Sequence, residues 1–520
     1  MSARSIQPLY IIAAFAVLKF LVPFLGIDPA YALHRDEYLY LAGSLHPDWG
    51  YLEAPPLMSW LGRISLWLGG SMNAVRLWGA LFGAAHIFLL GKMVLALGGR
   101  GYACLLACLA FFTGGTLRMH ILFQPNMADI FAWTLAAYLL VRLIQTSNHR
   151  YLYGLALAFA FGWYAKYSIV FFGVPTALAF LLFRNLRSWL SGRHAWQALV
   201  LFVLLIAPNL WWQASHGYPV LVHMKLLQER LLVHVSRSGF LVNQLLMNLP
   251  GVPVWIAGIC WLLSARGRLF RPVLFIYAGV IALLLFSQGK DYYAMGVYPM
   301  LMAFGGVAIE RWTEDITTRN RLLRAGTPAL ILLLFGLVLP LLLPIAPPQA
   351  LARYFKERGL EKTGALTWER GDVHELPQDY ADMLGWKELA EKTAAVYHRL
   401  PDSVRSKTLI FGDQYAYAGP VQFFGRRLGL PEIYSDDASF MFWLPKTFPY
   451  RHILLIDKKP RSATDAVFGR FNDYQVLDSM TTPYARENGV KLFLYRNGDD
   501  SLANVAEKAI AEGKRPYRMD

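Results

Sequence analysis

Over the first 345 residues the dominant pattern is the long apolar run. A helix crossing a bilayer needs roughly 20 mostly apolar residues, and about eleven runs approach that, near 8–27, 74–97, 102–117, 129–144, 151–163, 168–184, 196–211, 250–264, 273–287, 294–309 and 326–345. Past residue 345 the texture changes. Apolar runs shorten and charges rise; "KTLIFGD", "HILLID" and "VKLFLYR" read as strands, and 386–399 reads as an amphipathic helix. The pattern predicts a polytopic α-helical membrane domain over 1–345 and a small α/β domain over 346–520, joined through the proline-containing "LPLLLPIAPPQ".

The connection after the first run, from about 28 to 73, is too long for a simple loop and too apolar for a free one. Segments 36–46 and 55–70 read as helices lying in the membrane interface, the second with proline at its start and with Trp60 and Trp67 suited to headgroup depth. Arginines set the orientation. Arg4, Arg100, Arg142, Arg150, Arg311 and Arg324, with others, share one side if the spans alternate. The positive side is cytoplasmic. This predicts a cytoplasmic N-terminus, and an odd number of spans then puts the C-terminal domain outside.

Composition fits this picture. Of 520 residues 56% are hydrophobic and 16% charged, well outside soluble usage. The net charge is +15, but residues 346–520 carry 25 Lys and Arg against 24 Asp and Glu, so the basic excess belongs to the membrane half and does not point to nucleic acid. Cys104, Cys108 and Cys260 lie in apolar runs with no metal spacing, and read as small buried hydrophobes.

The membrane half holds only eleven acids, and on the predicted topology eight face outward. Five crowd the first outer loop (Asp28, Asp36, Glu37, Asp48 and Glu53), and Asp129 follows at the outer end of the fourth span. Glu310, Glu314 and Asp315 fall in a basic cytoplasmic loop, where solvated ion pairs are the simplest expectation. Lys19 is a charge inside the first span, which raises a functional hypothesis of its own. On the acid-rich side lie Arg76, Arg118, Lys166 and Lys290, the last followed by Tyr292 in "GKDYYAMGVYP". A base beside phosphate-binding cations suits transfer from an anionic lipid carrier. Asp36 and Glu37 in "HRDEYLY" point about 100° apart on a helix, so one is chemical and the other supporting. The alternative is that Asp36 caps a helix, with Glu37 favourable to the dipole of its first turn.

These residues resemble a family. The acid pair after the first span, then "GYLEAPPLMSW", the arginine of "NAVRLWG", "LFQPNMADIFAW", "GWYAKYSIVFF", "APNLWWQASHGYPVL" and "GKDYYAMGVYPMLMAFGG" follow in the order seen in the GT-C superfamily of integral-membrane glycosyltransferases. The likeness is to the branch of protein O-mannosyltransferases and aminoarabinose transferases. It extends to "LPQDYADMLGWKELAEKTAAVY" and "YAYAGPVQFFGRRLGLP" in the C-terminal region. The resemblance implies a GT-C-like bacterial inner-membrane protein with a periplasmic C-terminal domain. It also implies a polyprenyl (undecaprenyl)-phosphate-linked sugar as donor, and inversion at the anomeric carbon. By resemblance Asp36 is the general base, Glu53 and Asp129 are further catalytic acids, and Glu37, Tyr51, Pro55 and Pro56 support them. Lys166, Lys290, Tyr292, Arg118 and Arg76 are candidates for holding the donor phosphate. Ala54 departs from the pattern, because relatives place lysine or histidine there. No cofactor is required, and a divalent metal at Glu53 stays open. The acceptor is a glycolipid, glycan or protein among the membrane lipids. Two other classes compete: a transporter or flippase of lipid-linked sugars, disfavoured by the peripheral acids, and a non-catalytic glycolipid-binding protein, for which Ala54 is the main support.

Overall fold

The computed structural model describes residues 7–230, 236–315 and 317–518; Arg4 of the orientation argument lies outside them. In chain order the first helices are α1 (Pro8–Leu25), α2 (Arg35–Gly43), α3 (Leu57–Trp67), α4 (Met72–Ala96) and α5 (Gly101–Phe112). Later helices are named by their residues. Packing divides the chain into two compact units: Met1–Gly26, Asn73–Leu210 and Met224–Leu343 form one, and Ile27–Met72, Trp211–His223 and Pro344–Asp520 form the other. The division does not fall at a single point in the chain, since α2 and α3 belong to the unit that contains the C-terminal region.

The first unit is helical. Among the described residues seven helices are long and apolar enough to cross a membrane, or eight if the pair Arg237–Met247 and Leu249–Leu263, bent by 71°, forms one span. Every one of the eleven apolar runs coincides with a helix, but those at 101–112, 150–165 and 169–182 are shorter than a full crossing. The Val252–Leu263 and Tyr298–Trp312 helices approach so closely that a methyl group on Gly258 would meet the Leu301 carbonyl, and one on Gly305 the Val254 carbonyl. Without a hydrophobic driving force between helices in lipid, such small-residue contacts carry association. Glu310 corrects an expectation. It is buried, and its carboxylate accepts the backbone N–H of Arg100 at 2.8 Å and of Ala103 at 3.0 Å. It satisfies orphan donors at the start of α5, where a negative charge also meets the positive end of the helix dipole. Cys260, expected to be buried, is exposed on its apolar helix.

The second unit is built on a five-stranded sheet of order β2-β1-β3-β5-β4. The strands are β1 (Thr408–Gly412), β2 (Ile433–Tyr434), β3 (His452–Asp457), β4 (Tyr474–Ser479) and β5 (Lys491–Tyr495). β1 pairs parallel with β2 and β3, and β5 runs antiparallel between β3 and β4. The three strands read from sequence are β1, β3 and β5, the apolar ones; β2 has two residues and β4 begins with three exposed ones, so neither gives a clear period. Between β1 and β2 runs the Tyr415–Gly425 helix, a crossover packed along α2, where Gly419 lies against Tyr38.

The glycine contact is testable. Gly305→Ala should lower the melting temperature of the detergent-solubilised protein, at a cost of about 1–3 kcal/mol from overpacking against backbone. Gly326→Ala, where an added methyl meets nothing within 4 Å, should not. Equal melting of wild type and Gly305→Ala would mean that the close approach does not hold the two helices.

Candidate functional site

In the sheet-bearing unit, the start of α2 decides what Asp36 can do. His34 takes the N-cap position: its Nδ1 accepts the Asp36 N–H at 3.2 Å, and Glu37 Oε1 accepts the His34 N–H at 2.8 Å. This is a capping box in which histidine replaces the usual hydroxyl residue. The alternative of Asp36 as the cap is thereby corrected. Glu37 is 1% exposed and serves the helix end, while the Asp36 side chain remains 32% exposed.

The Asp36 carboxylate is turned toward the C-terminal region. Tyr415 donates its hydroxyl to Asp36 Oδ1 at 2.8 Å, and Arg35 Nε lies 3.4 Å from the same oxygen. The Arg35 guanidinium also stands 5.8 Å from the Tyr415 ring centroid. Burial and the neighbouring Asp36 hold the Tyr415 phenol well above its ordinary range, so it stays a donor. Behind this pair Asp382 is fully buried. It accepts Arg486 at 3.0 Å and stands 3.6 Å from His34 Nε2 and 3.8 Å from Arg35 Nε, so one carboxylate anchors three cationic or ring groups. Burial pushes its pKa upward against their pull.

Glu53 is engaged by the same region. Its two oxygens accept the backbone N–H and, at 2.7 Å, the hydroxyl of Ser439. Two residues earlier Asp437 accepts the Tyr415 N–H at 3.1 Å. The turn 437–439, with Ala438 at φ 55°, thus joins the partners of both acids. Tyr415 and this turn follow the carboxyl ends of parallel strands β1 and β2, where α/β sheets place their ligands. Tyr51, buried, sits 2.8 Å from the His46 carbonyl and accepts the Asp48 N–H at 3.2 Å; Pro56 begins α3; and Ala54, buried, accepts the Tyr51 N–H at 3.2 Å. Among the described residues no group of three or more His, Cys, Asp or Glu could hold a metal ion, and Glu53 gathers no second acid into such a set.

The helical unit holds the other candidates. Asp129, buried, accepts Trp133 Nε1 at 2.9 Å and the Ser168 hydroxyl at 2.7 Å. Lys166 donates to Asn126 at 2.7 Å, with its ammonium 4.0 Å from the Tyr293 ring centroid and 5.2 Å from that of Tyr292. Lys166, Tyr292 and the helix of Asp129 are therefore brought together. Lys290 caps the 3-10 turn Asp291–Val297 that carries the tyrosines. Arg118 donates to the Leu341 carbonyl, and Arg76 is buried within α4. Lys19 is fully buried, its Nζ facing Phe111 and Phe112 at 5.3 and 5.5 Å with no hydrogen-bond partner among the described residues.

Sequence reasoning passed over Tyr415, Ser439, Asp437 and Asp382. Only Tyr415 had a usable signal, as the third residue past a strand ending in Gly412, at the head of a helix.

Known proteins share this architecture. The family model of dolichyl-phosphate-mannose-protein mannosyltransferase matches residues 53–212. Over its whole length the fold resembles the crystal structures of ArnT from Cupriavidus metallidurans, bound to undecaprenyl phosphate and in the apo state. Each has a TM-score of 0.56 over 95% of this chain and 98% of that one, at 14% and 15% identity. The likeness to the mannosyltransferase family is confined to residues 53–212; over the rest of the chain it is the fold that is shared. The lipid A galacturonosyltransferase RgtD of Rhizobium johnstonii is 28% identical over 193 residues, so that the likeness spans 36% of this chain and 40% of the relative's length.

The Glu53 carboxyl is pushed up from 4.5 to about 7, chiefly by burial, with the Ser439 hydrogen bonds opposing. The folded protein thus holds this proton more tightly than the unfolded chain does. Its contribution to stability is fully present below about 4.5 and declines as pH rises toward about 7. Glu53→Gln should flatten that part of the melting-temperature profile between pH 5 and 8, read as wild type minus variant. A difference that does not change with pH would show that Glu53 does not titrate there.

Proposed function

We propose that this protein transfers a sugar from a polyprenyl-phosphate donor to the hydroxyl of an extracytoplasmic acceptor, with inversion. The observation that carries this reading is the Asp36 carboxylate: relieved of capping by His34 and Glu37, oriented by Tyr415, and partly exposed. Asp36 removes the acceptor's hydroxyl proton as the oxygen attacks the anomeric carbon. The bond from that carbon to the phosphate oxygen breaks, and polyprenyl phosphate leaves with the electron pair. An attack from the face opposite the leaving group inverts the centre, through the oxocarbenium-like transition state of glycosyl chemistry.

Charge on the departing phosphate is met by cations, the kind of contribution that often dominates catalysis. In the helical unit Lys166 is the first candidate, held by Asn126 and flanked by Tyr292 and Tyr293. Lys290, Arg76 and Arg118 are the others, although Arg118 also serves the Leu341 carbonyl. Asp129, tied to Trp133 and Ser168, is better suited to fixing the segment beside Lys166 than to moving a proton. Support for the donor comes from the fold neighbour that binds undecaprenyl phosphate, and for a lipid acceptor from the relative named for lipid A. The chain is read as a bacterial inner-membrane protein, with a cytoplasmic N-terminus and the C-terminal domain in the periplasm.

Two substitutions test the base. Purified protein incubated with labelled polyprenyl-phosphate sugar and membrane glycolipids should release free polyprenyl phosphate. Asp36→Asn, folded by its melting curve, should release none above background; retained turnover would remove Asp36 from the chemistry. Tyr415→Phe should lower kcat about tenfold with KM little changed, the loss expected of one orienting hydrogen bond to a charged group.

A further inference from the structure

Away from Asp36, at the far end of the α2 contact with the Tyr415–Gly425 helix, lies a cavity of about 290 Å³. Leu41, Leu45, Leu66 and Phe423 give it apolar walls, and Arg426 and Arg427 give it positive charge; no carboxylate lines it among the described residues. Residues five apart on a helix point about 140° apart, so Leu41 opens on a different side of α2 from Asp36. The cavity is therefore not the pocket of the proposed base, and its occupant is independent of the transferase reading.

The mouth of the cavity has its own chemistry. Trp67 and Leu68 are 74% and 57% exposed, and Leu428, next to Arg427, is 38% exposed. Adjacent exposed tryptophan and leucine on a turn are costly in water and favourable at the depth of lipid headgroups. The turn is held. Arg427 donates to the Gly69 carbonyl, Gly69 and Gly70 take φ of 95° and 60°, and the Arg63 guanidinium lies 6.0 Å from the Trp67 ring centroid. Arg426 is exposed at the same mouth, so one arginine fixes the rim and the other is left to meet an anion. An exposed apolar surface beside the cavity and two arginines at its edge without an acid call for one kind of occupant, amphiphilic and carrying phosphate at its polar end.

We propose that this cavity binds the headgroup phosphate of an anionic membrane phospholipid, with Arg426 on the phosphate and Leu41, Leu45, Leu66 and Phe423 on the first carbons of the chains. It anchors the sheet-bearing unit to lipid at a defined point, between α3 and the helix that presents Tyr415.

The test uses the full-length protein in detergent, titrated with phosphatidylglycerol or phosphatidylcholine of identical chains and read by native mass spectrometry. The wild type should prefer phosphatidylglycerol by about tenfold, the scale of one charge-assisted contact. Arg426→Gln should abolish the preference while leaving phosphatidylcholine unaffected. Ala42→Phe, which fills the cavity without changing charge, should weaken phosphatidylglycerol binding as well, so a folding failure in one variant leaves the other to decide. Glycerol 3-phosphate should not displace the lipid; displacement at equal concentration would overturn the lipid in favour of a soluble phosphate. Wild-type preference in both variants, or equal loss in Arg399→Gln, would overturn the assignment to this cavity.

Discussion

The hydrogen bond from Tyr415 to Asp36 depends on how the first turn of α2 is closed. A helix begins with N–H groups that have no partner within the helix, and a nearby aspartate is ordinarily drawn in to satisfy one. Here His34 Nδ1 and the Glu37 carboxylate do that work reciprocally. The imidazole is fixed in turn by the buried Asp382, which stands near its other nitrogen and also takes Arg486. A buried carboxylate is costly unless compensated, and Asp382 has three compensating neighbours. The most deeply buried charge of this unit thus sets the direction of the most chemically suggestive one.

The same constraint gives the C-terminal region a role. Its sheet puts the end of β1, and with it Tyr415, beside the start of α2, while the segment after β2 brings Asp437 and Ser439 to the same neighbourhood. On the proposed function, the sheet-bearing unit carries the base together with the groups that aim it. The α/β portion is then part of the chemistry, whether or not it also selects the acceptor.

Much of this is legible in the sequence. The helices stand where apolar runs stand, because a chain in lipid must satisfy its backbone internally. The strands β1, β3 and β5 are apolar enough to declare themselves. That Asp36 and Glu37 point in different directions follows from helical geometry alone: Glu37 turns back to the His34 N–H and Asp36 meets the Tyr415 hydroxyl. Sequence leaves Asp36 open as a cap because histidine is an uncommon N-cap and the aspartate two residues later is a common one. Glu310 reads as solvated because its loop is basic, whereas its partners are backbone N–H groups at the start of α5, more than 200 residues earlier. Asp437 and Ser439 cannot be found by spacing at all, and the place of Tyr415 after a strand does not name its partner. They act on residues 22 to 386 positions away, and no local pattern encodes such a separation.

Three consecutive residues join the surroundings of Asp36 and Glu53, two of the five acids of the first loop. Ser439 holds Glu53, Asp437 holds the backbone of Tyr415, and Ala438 between them occupies a left-handed conformation that an alanine adopts only when its surroundings impose it. Glu53 titrates near neutrality, so the grip on Ser439 differs between its two forms: the carboxylate accepts two donors, and the protonated acid offers a donor of its own. On the proposed function Glu53 acts through this turn on Tyr415, the residue that orients Asp36, and not as a second base.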